Sequence, residues 1–355
     1  MESLWTSYRP PAILQEDLLH YIFDHVADLA TLARASTVCR VWVVPAQAAL
    51  YKDIEYTPLS QCSRHSLLAR TMRTRPQLLR FVRRLSLITT WTHSPTPELC
   101  AWVEHIPEDR LQEFRWTWDR GHPLPALLAF PAIRATRHIE LRGRLYTMGA
   151  IQSILELPSL ESLTLELSGD EKGSLDVTSS RLRRLSVIAR EGHSPSLDSL
   201  LAVVGPQIES LHITCKLGGG SERDAALVSC IHSHCPDLSR LEVDAITPSD
   251  APTVIASALV KQYHALEYLR CGQGTLSPEL FSSLPSSLRT LNMAFIPTLE
   301  EPLLRFLEEQ GHNHRSLTLL ELSSADTNVS IHDYPRISAV CNISGVDLRL
   351  RNAHS

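Results

Sequence analysis

The apolar positions of this chain follow two different periods. From residue 78 onward a phrase of the form apolar-x-x-apolar-x-apolar recurs. Its clearest copies are Leu160-x-x-Leu163-x-Leu165, Leu182-x-x-Leu185-x-Val187, Ile208-x-x-Leu211-x-Ile213 and Leu238-x-x-Leu241-x-Val243. It continues as Leu266-x-x-Leu269-x-Cys271, Leu288-x-x-Leu291-x-Met293 and Leu317-x-x-Leu320-x-Leu322, with looser copies around Leu85, Phe114 and Ile139 and a degenerate one through Leu348 and Leu350. The last two apolar residues of each phrase are two apart, the spacing of a strand with one buried face. Between phrases the spacing becomes helical: Leu197, Leu200, Leu201 and Val204 share a face, as do Leu227, Val228 and Ile231, and Leu303, Leu304 and Leu307. Thr298-x-x-Glu301 reads as a capping box with Gly311 as the stop, and Ser277-Pro278-Glu279 places Pro at a first helical position. Thr96-Pro97-Glu98 reads the same way, and the polar stretch 169–180 predicts a loop where a helix would otherwise stand.

The central apolar residues are Leu85, Phe114, Ile139, Leu163, Leu185, Leu211, Leu241, Leu269, Leu291 and Leu320, at intervals of 22 to 30 residues that average about 26. One strand and one outer element per period of about 20–29 residues is the pattern of leucine-rich repeats. The chain therefore resembles an irregular leucine-rich-repeat solenoid, an α/β fold with parallel strands inside and helices outside, in about 10–11 repeats over residues 57–355. The Asn usual after the second strand residue is missing: Ser168, Arg190, Lys216, Ile246 and Gly274 stand there, so no continuous side-chain ladder is expected. His234-Cys235-Pro236-Asp237-Leu238 instead resembles the cysteine-type repeats common in ubiquitin-ligase receptors. Residues alternating with the buried positions face outward, and successive repeats stack them into an extended concave binding surface. The central outward positions are Thr164, Ser186, His212, Glu242, Arg270, Asn292 and Glu321. Tyr and Arg are frequent interface anchors, which makes Arg240, Tyr268 and Arg270 the expected substrate-binding patch.

The first 56 residues carry no such phrase. Leu18, Leu19, Ile22, Phe23 and Val26 fall on one helical face; a second helical stretch over 28–42 sets Leu29, Leu32, Ala33 and Ser36 together; a third runs from Pro45 to Ile54. Leu14-Gln-Glu16-Asp-Leu18-Leu19-x-x-Ile22-Phe23, then Leu29, Val38-Cys39-Arg40-x-Trp42 and Leu50-Tyr51, resembles an F-box. That resemblance implies a three-helix hairpin over residues 1–56 that docks on a Skp-type adaptor, which binds a cullin. It implies adaptor-facing or hairpin-packing roles for Leu14, Leu18, Leu19, Ile22, Phe23, Val38, Cys39 and Trp42. The chain departs from the family at Gln15, where Pro is usual. The implied function is substrate receptor of an SCF-type (Skp–cullin–F-box) ubiquitin ligase, bridging the adaptor and a protein substrate. The alternative is a leucine-rich-repeat interaction scaffold whose helical N-terminal cap seals the first repeat outside any ligase.

Composition narrows these readings. Leu occurs 56 times in 355 residues, and 43 % of the chain is hydrophobic, ample for a packed core. The net charge of -5 argues against general nucleic-acid affinity. The N-terminus lacks a basic region followed by an apolar run, and no apolar run approaches the ~20 residues of a membrane span, which points to a cytoplasmic or nuclear protein. Eight cysteines without a tight framework are expected as free thiols. Cys230-x-His232-x-His234-Cys235 offers zinc-binding residue types, but on a helix 230 and 234 face one way and 232 the other, so packing is expected and no metal or cofactor. Residues 56–97 hold no carboxylate and seven arginines, Arg64, Arg70, Arg73, Arg75, Arg80, Arg83 and Arg84, which could meet an acidic partner or form a solvated face. There is no Gly-x-Ser-x-Gly, His-Glu-x-x-His or phosphate-cradling loop, so no enzyme is expected.

Overall fold

A computed structural model describes residues 12–57, 63–89, 101–118, 127–145, 147–167, 173–177, 180–189, 194–215, 221–245, 255–272, 274–294, 297–313, 316–324 and 334–352. The chain divides into two compact units, Met1–Glu140 and Leu141–Ser355.

In the first unit α1 (Ala12–Asp24), α2 (Leu29–Ala35) and α3 (Arg40–Lys52) precede β1 (Asp53–Tyr56), α4 (Ser63–Thr74), a 3₁₀ turn over Pro76–Phe81, β2 (Arg84–Thr89), β3 (Glu113–Trp118), the short α5 (Pro131–Arg134) and the start of β4 (His138–Leu145). Asp28 caps α2, accepting from the amides of Ala30 at 3.2 Å and Thr31 at 3.0 Å. The three helices form their own small core of Phe23, Leu32, Ala35 and Ala46, with Leu19, Val26, Trp42, Ala49 and Leu50 packed on it. Trp42 meets Phe23 edge-on, ring centroids 5.5 Å apart.

Several sequence expectations are corrected here. The second helical stretch breaks at 36–39, so Val38 and Cys39 lie in a turn, and Pro45 sits inside α3. That position costs the helix one bond, the donor to the Val41 carbonyl. Leu29 and Ala33 are exposed; of the expected face Leu32 is buried, and Ala35 turns inward with it. The third helix ends at Lys52, and Asp53–Tyr56 is a strand with Ile54 and Tyr56 buried, paired in parallel with β2 as Ile54↔Leu85 and Tyr56↔Leu87. The sheet thus begins one strand earlier than the repeat phrase announces, because this strand carries no Leu-x-x-Leu preamble.

In the second unit the end of β4 is followed by α6 (Met148–Leu155), β5 (Ser162–Leu167), β6 (Arg184–Ala189), α7 (Pro195–Val204), β7 (Ser210–Cys215), α8 (Ser221–His234) and β8 (Arg240–Ala245). Then come α9 (Ile255–Val260), β9 (Tyr268–Cys271), α10 (Leu280–Ser283), β10 (Thr290–Ala294), α11 (Glu300–Asn313), β11 (Leu319–Ser324), α12 (Pro335–Ser344) and β12 (Asp347–Asn352). Strands β5 to β12 pair in sequence order, all parallel. The register lines up the repeat: Leu163, Leu185, Leu211, Leu241, Leu269, Leu291, Leu320 and Leu348 form one row, buried from Leu163 to Leu320. Burying each such side chain contributes about 1.5–3 kcal/mol, which is what sustains a parallel sheet with no hairpins.

Helices stack on their sequence neighbours in one layer, α7 with α8, α8 with α9, and on to α11 with α12. This is a solenoid-like α/β arrangement. Residues 173–177 carry neither helix nor strand, as the polar composition there predicts. Two helix boundaries differ from expectation: α11 runs through Gly311 to Asn313, and α10 begins at Leu280, after Pro278. The reliable stop is Gly345 after α12, at φ +72°, a left-handed conformation in which its amide bonds back to Cys341 O. Thr96-Pro97-Glu98 lies outside the described residues.

A backbone ladder takes the place of the missing Asn ladder. Before most strands of the second unit one carbonyl accepts two successive amides of the next repeat: Glu161 O from Arg183 and Arg184, Arg183 O from Glu209 and Ser210, Glu209 O from Ser239 and Arg240. Ser239 O, Glu267 O and Arg289 O repeat the pattern, and in the first unit Arg83 O does the same for Gln112 and Glu113. The bonds are 2.8–3.1 Å, so the polar groups at the strand entrances are satisfied without side chains.

Candidate functional site

Two surfaces carry the residues singled out from the sequence. In the helical module of the first unit, the side chains divide by burial. Phe23 is buried, Leu19 and Trp42 are half-buried against it, and Leu18, Ile22, Val38 and Cys39 are exposed. The side chain of Leu14 lies outside the described residues. Beside these, Tyr21, Leu29 and Val41 are also exposed, at 66 %, 60 % and 55 %. Among the described residues, six of the eight exposed large apolar side chains fall between residues 18 and 41, so apolar exposure is concentrated here. Leu18, Tyr21 and Ile22 share a face of α1 by their spacing of three and four. Tyr21 and Val41 were missed by sequence reasoning, and Leu29 was set on one face with buried Leu32, for lack of any signal separating the inner from the outer side of each helix.

The same unit holds a cavity of about 600 Å³ lined by His20, Asp24, Lys52, Arg80, Arg83 and Arg110 among others. Lys52 is paired with Asp24 at 3.1 Å, and Arg83 donates to Arg110 O at 3.3 Å. Arg84 bonds Asp53 across β1 and β2. The arginine-rich stretch is thus partly consumed by structure, while Arg70, Arg73, Arg75 and Arg80 stay exposed.

On the outward strand face of the second unit, Thr164, Ser186, His212, Glu242, Arg270, Asn292, Glu321 and Arg349 stand in one registered row. The expected patch does come together. Arg240 stacks over Tyr268, 3.6 Å from the ring centroid, and donates to Glu242 at 2.7 Å. Arg270 reaches Glu242 at 3.4 Å and Asp244 at 3.7 Å. His212 Nε2 lies 3.0 Å from Asp244, and its Nδ1 lies 3.2 Å from Ser186 Oγ. Asn292 donates to Glu321 at 2.8 Å, and both are buried, whereas Arg349 at the end of the row is exposed. The arginines are held and largely neutralised by carboxylates one or two positions away, a network that residue type alone did not disclose.

A third cluster lies on the helices. Cys230 and His234, one turn apart on α8, meet Asp198 of α7; His234 Nε2 is 3.2 Å from Asp198 Oδ1. His232 faces away, with Nε2 3.1 Å from Leu259 O and its ring against Tyr263. Burial, then the hydrogen bond and charge of Asp198, push the Cys230 thiol up to about 12, so it is a protonated thiol and not a nucleophile at neutral pH. The four sequence-adjacent Cys and His residues do not converge; Asp198 was missed because it lies 32 positions before Cys230.

No family model matches the chain, and no curated protein matches it. No helix among the described residues is long and apolar enough to cross a membrane.

Proposed function

We propose that this chain is an F-box substrate receptor of an SCF-type ubiquitin ligase, its helical module docking on a Skp-type adaptor and, through it, a cullin. The observation that carries the reading is the apolar exposure of Leu18, Tyr21, Ile22, Leu29, Val38 and Val41 on a module that already has its own core in Phe23, Leu32, Ala35 and Ala46. A module that is folded and still exposes apolar side chains has a surface suited to a partner. The work is bridging: binding a substrate beside a charged transfer enzyme raises its effective concentration there. A protein substrate is assigned to the outward strand face around Arg240, Tyr268 and Arg270. The Ser186–His212–Asp244 contact has the residue types of a hydrolase relay but the ring nitrogens the wrong way round, Nδ1 toward Ser186 and Nε2 toward Asp244. This favours a non-enzymatic role.

The scaffold reading also has an observation behind it, since α3 packs on the 3₁₀ turn Pro76–Phe81 as a cap would. Co-purification separates the two. Full-length protein is expected to retain the adaptor and cullin, and Leu18→Asp/Ile22→Asp to lose both while keeping its fold, because both positions are exposed. Phe23 is unsuitable for this test, as a charge there would unfold the module. A folded double variant that captures adaptor at wild-type yield would return the module to a cap.

A further inference from the structure

We propose that Asp198, Cys230 and His234 form a divalent-metal site of zinc type that clasps two neighbouring helices of the second unit. The site is independent of the ligase reading. One ligand atom from each residue lies within 4.8 Å of the other two, and the carboxylate and imidazole are already 3.2 Å apart. Ligand atoms around a tetrahedral zinc stand roughly 3.3–3.8 Å apart, given bonds of about 2.0–2.3 Å, so small side-chain rotations suffice. Thiolate, imidazole and carboxylate together favour Zn²⁺ over Mg²⁺ or Ca²⁺, which prefer all-oxygen shells. Asp198 is half-exposed, which leaves a fourth position open to water.

Two features hold the ligands in place beforehand. Cys230 and His234 occupy i and i+4 in the last turns of α8, where the helix dipole favours a cation. Gly205, at the end of α7, lies against the backbone of His234: a Cβ there would sit 2.4 Å from His234 O. Only glycine permits this approach, which sets the C-terminal end of α7, the helix that carries Asp198 in its first turn, against the α8 turn carrying His234. Binding converts the Cys230 thiol to a thiolate and releases its proton to solvent as the Zn–S bond forms.

The test uses full-length protein stripped with chelator, then titrated with Zn²⁺ and, separately, with Co²⁺. One metal per chain, a raised melting temperature with Zn²⁺ and a thiolate-to-Co²⁺ charge-transfer band are expected. Asp198→Asn, a half-exposed change that leaves the fold intact, should weaken Zn²⁺ binding by about tenfold or more, and Cys230→Ser should abolish the band. Cys235→Ala, one residue past the site, should change neither. Absence of stoichiometric binding at micromolar Zn²⁺, a band surviving Cys230→Ser, or equal affinity in Asp198→Asn and wild type would each overturn the site.

Discussion

Arg240 and Tyr268 are registered neighbours on β8 and β9, and the Arg240 guanidinium lies 3.6 Å from the centre of the Tyr268 ring. Glu242 accepts from the same guanidinium at 2.7 Å, so the cation is held between an aromatic face and a carboxylate. The pair is a prearranged surface, with little side-chain entropy left to lose on binding.

If substrate meets this face, Tyr268→Ala combined with Arg270→Gln should reduce substrate capture while leaving adaptor capture unchanged. The loss of stability should stay near 1 kcal/mol, the scale of exposed cation–π contacts and surface ion pairs. Arg270→Glu is a poorer choice, since it would set a third carboxylate beside Glu242 and Asp244. Quantitative mass spectrometry of purifications made after proteasome inhibition reads the outcome; equal substrate recovery from a folded variant would move the site off this face.

Asp244 makes the stability of the second unit acid-sensitive. Burial pushes its carboxyl upward, but the hydrogen bond to His212 and the charges of Arg270 and His212 outweigh it and hold the group below its ordinary value. A carboxylate lowered in the folded state stabilises above its unfolded value, near 4, and that contribution is lost as the pH falls through the folded value. Asp244→Asn should therefore cost on the order of 1–3 kcal/mol at pH 7, as for a hydrogen bond to a charged group, and much less at pH 2–3. Urea denaturation of both proteins across that range would show the gap closing; a constant gap would refute the linkage.

The cysteines should divide by burial. Desolvation pushes the thiols of Cys215 and Cys271 up to about 12 and that of Cys341 up to about 11. In the native state at pH 8 these three should resist maleimide for hours, whereas exposed Cys39 should react within minutes. Peptide mapping after timed labelling checks both halves. Bound adaptor should slow Cys39 specifically, since it lies between Val38 and Val41 in the exposed apolar segment.

Much of the fold was legible because the repeat phrase couples two periods. Every central apolar residue from Leu85 to Leu320 lies in a parallel strand, as a spacing of about 26 demands. The strand at Asp53–Tyr56 was not legible: four residues after a helix give no period to read, and only pairing with β2 makes Ile54 and Tyr56 a strand. The helix break at Ser36–Cys39 was obscured likewise, because Pro45 is the stronger local punctuation and yet is absorbed within α3.

By itself, then, the order of amino acids determined which apolar residues of the repeat phrases are buried, since a period of two within each phrase and of 3.6 between phrases leaves one consistent apolar face for each element. It also selected the outward strand positions, including Arg240, Tyr268 and Arg270. Tertiary structure alone decided which of those positions meet. Asp198 reaches Cys230 and His234, and Ser186 and Asp244 reach His212, only because parallel stacking brings residues roughly one repeat apart into contact. Tertiary structure also decided that Phe23 turns inward while Ile22 stays outside, since adjacent apolar residues on a short helix look alike until the partners packed against one of them are known. Sequence fixes what each repeat can bury; the contacts between repeats depend on distances that no local pattern encodes.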